Sequence, residues 1–440
     1  MSLIIALCAF ILIAALGLGA MTAARAEGEQ ALVGTDALSY PAREAITRDL
    51  VRMVDHSPEL RSLLEQSIGQ ALRVNPDPAT NPVRDLESYY AFVDHCARAM
   101  PWDIWPRKSC DSLYWRIDQG MGCLYFAVNQ PLEALRGRGY YHDSLLYHEP
   151  MRSWFVRFLS DSGGYLSTEA SWNDEYLALA RAHADFHLTD GTYESPENWH
   201  SFNDFFARRL SSPSVRPIAA PGDGLAVVSP ADSVTQGVWP IGADGRVVTG
   251  DDENGVPVKT GTLTDVAALL GPCRYARSFA GGAMTHVLLD VYDYHRFHFP
   301  VSGTVREVSL IRQDDAPGGV ITWDEAEGRY RARWVDVYGW QAIETRGVVV
   351  VEMDSGALCA IVPVGMSQVA SVCIEDGVAP GARFEKGDPL GYFQFGGSDI
   401  VMLFDERAAF ELTAPAGAPI RMGERYGQLG AGPAGEGSRA

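Results

Sequence analysis

A serine that directly follows two glycines, as in Gly396-Gly397-Ser398, can be placed to attack its own backbone. Glycine needs no Cβ clearance, so the chain there can take conformations closed to other residues. The Ser398 hydroxyl then lies within reach of the Gly397 carbonyl. Taken alone, glycine in a strand more often marks a bulge or a tight bend. Two other stretches carry groups that activate a hydroxyl. Ser229-Pro230-Ala231-Asp232-Ser233 presents a carboxylate, in a setting that also reads as a turn. Asp293-Tyr294-His295-Arg296-Phe297-His298-Phe299-Pro300 presents two imidazoles. On a strand His295 and His298 face opposite ways; on a turn they converge. Asp, His and Ser together form a nucleophilic set: the carboxylate fixes the imidazole tautomer, the imidazole takes the hydroxyl proton, and the oxygen attacks. The His-x-x-His spacing also suggests zinc, but no third ligand is evident, and no metal is expected. Core packing is the other reading of either ring. A long chain contains such sets by chance, so the elements that position them must decide.

Those elements change character along the chain. Apolar positions Ile46, Leu50, Val51 and Met53, then Leu60, Leu63, Leu64 and Ile68, recur at three and four and predict amphipathic helices over 44–55 and 59–72. Asn75-Pro76-Asp77-Pro78 ends the second. Further helices are expected over 89–100, 111–119 and 148–159, with Trp102, Trp105, Trp115 and Trp154 as core. Ser201 caps a short helix bearing Phe202, Phe205 and Phe206 and ending on Arg208-Arg209, cations that suit a helix C-terminus. From Leu225 onward short strands alternate with Gly, Pro and Asp, apart from one helix over 264–270. Two of the strands, 392–395 and 400–404, meet at the glycine pair. The fold class is α+β: a mainly helical domain over 27–198, then a β-rich antiparallel sandwich or barrel over 199–425. Residues 426–440 read as a disordered tail.

Composition sets outer limits. Hydrophobic residues at 47% and charged residues at 21% describe a globular chain, not a disordered one. A formal net charge of −20 argues against a nucleic-acid partner, whose phosphates it repels. Residues 2–24 carry no charge, and Ala24-Arg25-Ala26 resembles a signal-peptidase site. Residues 1–26 therefore read as a cleaved leader or as an uncleaved membrane anchor. Both place the remainder outside the cytoplasm, periplasmic or extracellular, or held at the membrane facing out. Beyond Cys8, six cysteines permit disulfides, among Cys96, Cys110 and Cys123 or between Cys359 and Cys373.

Taken together, the motifs resemble those of the phosphatidylserine decarboxylase family, which depends on a pyruvoyl group. Four stretches carry the resemblance: Phe202 to Leu210, Ser229 to Asp232, Asp293 to Pro300 and Lys386 to Ser398. Val258 to Gly271 and Val362 to Gly365 also fit. The resemblance spans about 200–410, in family order. The segment over about 40–200 resembles the extension of a subgroup that includes tryptophan-decarboxylase-like members. The resemblance implies that His298, oriented by Asp232, deprotonates Ser398. Ser398 then attacks the Gly397 carbonyl, and the chain is cut between them into β and α chains. Ser398 becomes the pyruvoyl group, so neither pyridoxal phosphate nor a metal is needed. Its ketone takes the substrate amine and holds the electrons released as CO2 leaves. His295 is the implied substrate-binding residue, and His298 returns a proton. Phosphatidylserine, giving phosphatidylethanolamine and CO2, is the implied substrate. A free aromatic L-amino acid such as tryptophan is the alternative, and a non-catalytic binding module of the same fold is another. Membrane contact and homo-oligomerisation stay open. Two positions depart from the family pattern: Ser233, where glycine is common, and Asp399, where a hydroxyl residue usually follows the cleaved serine. A carboxylate there would repel a substrate carboxylate, take part in proton transfer, or point away on the other strand face.

Overall fold

Amphipathic spacing in the first half folds into helices Ala45–Asp55, Pro58–Val74, Leu86–Cys96, Leu113–Phe126, Met151–Tyr165 and Asp174–Arg181. The computed structural model describes residues 43–106, 112–139, 141–249, 256–258, 261–263, 265–312, 320–332, 339–366 and 372–430. The leader, Cys8, Cys110 and residues 431–440 lie outside these. Local signals set several helix starts. Ser57 accepts from the Leu60 N–H, with Pro58 in the first turn. Asp85 and Ser88 cap Leu86–Cys96 reciprocally. Leu113–Phe126 runs past the expected end at 119 because Met121, Cys123, Leu124 and Phe126 are all buried; packing, not propensity, sets its length. Among the described residues no helix is long and apolar enough to cross a membrane.

The second half is built on an antiparallel sheet of eight strands. From edge to edge they are Arg383–Phe384, Gly303–Ile311, Thr345–Glu352, Leu358–Met366, Gly397–Phe404, Ala283–Leu289, Ser233–Pro240 and Pro419–Ile420. A smaller sheet orders Val372–Ile374, Pro389–Phe393 and Arg296–His298; another orders Ala226–Val228, Arg425–Gln428 and Glu411–Leu412. The central strands are buried on both faces, which is why they read as unbroken apolar runs. Side chains alternate across each strand. Val348, Val350, Ala360, Val362, Val401 and Leu403 enter one core with Leu50, Leu64 and Phe155 of the helices. Val349, Val351, Ile361, Ile400 and Met402 enter a second core with Phe202, Phe206, Phe297 and Phe393. The helical half contributes to both cores: Leu50, Leu64 and Phe155 to the first, Trp102, Leu113 and Ile117 to the second. Gln119 adds a polar tie, exchanging hydrogen bonds with the Tyr330 backbone at 2.7 and 3.0 Å.

Three expectations are corrected. Cys96, Cys123, Cys273, Cys359 and Cys373 are free thiols, four of them buried; they behave as small apolar core residues. The tail does not begin at 426: Arg425–Gln428 is a strand, and Tyr426 and Leu429 are buried. The two strands do meet in a bend at Phe395 and Gly396, but the second starts at Gly397 rather than 400, so Ser398 already lies inside the strand Gly397–Phe404.

Candidate active site

Ser398 is the second residue of a central strand of the large sheet. It pairs with Gly365 on one neighbour and Leu289 on the other. Its side chain is fully buried, and its Oγ finds no hydrogen-bond partner among the described residues. A buried, unmatched hydroxyl costs about 1–3 kcal/mol and needs an explanation. Gly396, just before the strand, has φ 147°, a region that a side chain would strain. The first glycine therefore permits the approach, and the second carries the carbonyl next to Ser398.

The two histidines arrive from the turn after Ala283–Leu289. His295 precedes the short strand Arg296–His298, and the ladder with Pro389–Phe393 begins at Arg296. The His295 ring is fully buried and stacks on Phe206 at 3.8 Å. Its Nδ1 donates to the Asp293 carbonyl at 3.0 Å, which leaves Nε2 as an acceptor, and that atom is unpartnered among the described residues. Burial and then the Arg208 charge push its pKa well below the usual histidine range, so the ring is neutral. His298 donates from Nδ1 to the Gly387 carbonyl at 2.8 Å and receives the Tyr294 hydroxyl at Nε2, 3.2 Å away. Gly387 has φ 90°, and an added Cβ would meet Ile218 at 2.4 Å; that backbone geometry is what aims its carbonyl at His298. Burial lowers the His298 pKa too, so at neutral pH Nε2 is a free base once Tyr294 moves aside.

Asp232 does not orient His298. Arg216 grips its carboxylate with Nε at 2.9 and 3.1 Å and with a terminal nitrogen at 2.5 Å, and the Met422 N–H donates to Oδ1 at 2.8 Å. A guanidinium fork matches both carboxylate oxygens and outcompetes an imidazole. The Asp232 segment still adjoins His298, whose backbone N–H donates to the Pro230 carbonyl at 2.8 Å. Asp399 points away from the Ser398 side. Its oxygens receive His286 Nδ1 and Gln341 Nε2, each at 3.1 Å.

Residues not foreseen in these roles complete the site. Arg208 is no surface cation at a helix end: it is fully buried and donates to the Tyr292 and Asp293 carbonyls at 2.6 and 3.1 Å. Asn203 accepts the Phe395 N–H at 3.0 Å, anchoring the approach to the glycine pair. With Phe206 they all come from the Phe202–Leu210 stretch; its aromatic spacing showed a buried face, but nothing in it showed a buried arginine. A cavity of about 430 Å³ opens beside Asp232, lined also by Tyr193, Arg216, Tyr292 and Asp293. Burial raises the Asp290 carboxyl to about 7, and burial with the neighbouring Asp290 pushes Asp293 well above its usual range.

Comparison with known proteins falls on this half of the chain. A family model described as phosphatidylserine decarboxylase matches residues 202–428. The phosphatidylserine decarboxylase proenzyme of Anaeromyxobacter sp. (strain K) is 34% identical over 247 residues, 52% of this chain and 78% of that protein. The Geobacillus kaustophilus proenzyme is 29% identical over 289 residues, 63% of this chain and 97% of its own length. Proenzyme 3 of Schizosaccharomyces pombe is 31% identical over 237 residues but is covered only to 22% of its length. With its model matched over more than half of the sequence, the chain belongs to the phosphatidylserine decarboxylase family and is a carboxy-lyase.

Proposed function

We propose that this chain cuts itself between Gly397 and Ser398, converts Ser398 to a pyruvoyl group, and decarboxylates phosphatidylserine to phosphatidylethanolamine. The observation that carries the reading is the buried, unpartnered Ser398 hydroxyl, directly after a glycine pair whose first member holds φ 147°. In the cut, His298 accepts the hydroxyl proton at Nε2 after Tyr294 releases it. Ser398 Oγ adds to the Gly397 carbonyl carbon, the C–N bond breaks, and an ester and a free amine replace the amide. Elimination of the Ser398 α-proton and the ester oxygen frees the Gly397 carboxylate. Tautomerisation and hydrolysis of the resulting enamine release ammonia and leave a ketone at 398. The same residues fit that group: the site is buried among Phe206, Phe395 and Ile400, and His295 Nε2 is a neutral acceptor on the same core. When formed, the pyruvoyl group supplies the electron sink for loss of CO2. His295 holds the substrate, and His298 delivers the proton that replaces the carboxylate. Asp232, held by Arg216, fixes the segment that carries the His298 backbone.

The proposal extends to organisation. Residues 1–26 serve as leader or anchor, the segment from 27 to 198 as an extension, and the enzyme works outside the cytoplasm at a membrane. The test is intact mass and a denaturing gel, followed by a decarboxylation assay of phosphatidylserine against free aromatic amino acids. Two chains broken at 397/398 and CO2 from the lipid are expected. A single uncut chain overturns the reading, and CO2 from the amino acids alone overturns the substrate.

A further inference from the structure

Cutting the chain creates a mechanical problem that the opposite face of the strand addresses. Before the break, Ser398 is held in register by covalent bonds on both sides. Afterwards residues 398 and 399 begin a new chain, and strand ends open far more readily than strand centres. The reacting group would sit on the first residue of a fraying end. We infer that Asp399 is the positioning residue that pins this end after the break; the inference rests on the self-cutting reading above.

The geometry supports a clamp with several attachment points. Asp399 is fully buried on the face that Val401 and Leu403 share with the helical core. One carboxylate oxygen receives His286 Nδ1, from the neighbouring strand Ala283–Leu289; the other receives Gln341 Nε2, from the turn Trp340–Ile343. The His286 ring stacks on Trp239 at 5.2 Å and 24°, which brings in a third segment, the strand Ser233–Pro240. Gln341 is itself buried. Two donors from separate elements thus meet on one side chain, immediately after the cut. A carboxylate accepts from both at once, and hydrogen bonds to a charged acceptor are the stronger kind. The pleat turns the carboxylate away from the Ser398 side, so it anchors without facing the substrate.

The experiment compares cut and uncut forms. Asp399→Asn and Gln341→Leu are each made in the otherwise wild-type chain and in the Ser398→Ala chain, which stays whole. Hydrogen–deuterium exchange is read on the peptide that starts at 398, together with kcat and KM for phosphatidylserine. In the cut protein the variants exchange about tenfold faster than wild type over the first residues of that peptide. In the uncut background the same changes alter exchange less than about twofold, because the chain still continues through Gly397. The variants are still cut; kcat falls and KM holds. Equal acceleration in cut and uncut forms makes the network an ordinary core contact and overturns the inference, as does no acceleration in either. Failure of the variants to cut overturns it as well, since Asp399 would then act before the break. If Asp399→Asn does not fold, Gln341→Leu decides alone. An uncut wild-type chain is a separate result: it overturns the proposed function, and the inference falls with it.

Discussion

Ser398 and Asp399 are neighbours on one strand yet face two different interiors. The Ser398 side holds polar atoms left unmatched: Ser398 Oγ and His295 Nε2 have no partner among the described residues, and nor does Nε of the buried Arg208. Asp399 itself is matched, with both carboxylate oxygens bonded. Unmatched buried polar groups are costly and persist where function needs them; matched ones stiffen a structure. Ser398 is therefore placed to react, and Asp399 to hold still.

The largest effect that would break this contrast is Ser398→Ala. It should abolish both cutting and CO2 release, seen as one band on a denaturing gel; a cut variant would move the reactive atom elsewhere. Next, His298→Asn should slow cutting by about 10²–10⁴-fold, the usual range for losing a general base, measured by the time course of band appearance. Arg216→Met tests the matched network beside the cavity. It leaves the Asp232 carboxylate buried without its cation and should cost about 3–5 kcal/mol of stability, read by denaturant unfolding of the Ser398→Ala chain. A drop below about 1 kcal/mol, the range of surface pairs, would show that the Asp232 pair is weakly held. The smallest effect concerns pH. In the folded chain Asp290 keeps its proton up to about pH 7, whereas unfolded it releases it near 3.8. Folding takes up a proton between these values, so this group's contribution to stability falls as pH rises through that window. Asp290→Asn should therefore flatten the decline of Tm between about pH 4 and 7 relative to wild type; an unchanged slope would show that Asp290 ionises normally.

How much of this was legible beforehand differs by element. The first helices were visible because apolar spacing and caps are local, as at Ser57 and Asp85. The central strands were visible as runs of Val and Ile. The last two turns of the helix to Phe126 were not, because their burial depends on distant partners; Asp174–Arg181 was overlooked although Asn173 caps it, with acids in its first turn and Arg181 in its last. The strand over 400–404 was visible, but its start at Gly397 was placed too late because a glycine pair also reads as a turn. The role of Arg208 was misread because a cation at a helix end is normally solvated.

By itself, the sequence determined the α+β plan, the order of the motifs and the candidate set Ser398, His295, His298 and Asp232, since residue type and periodicity are local properties. Only the tertiary structure decided the pairings. Arg216 took Asp232, Gly387 and Tyr294 took His298, and His286 with Gln341 took Asp399. Most of those choices are competitions among groups far apart in the chain, and they are settled by which groups the packed sheet brings within about 3 Å.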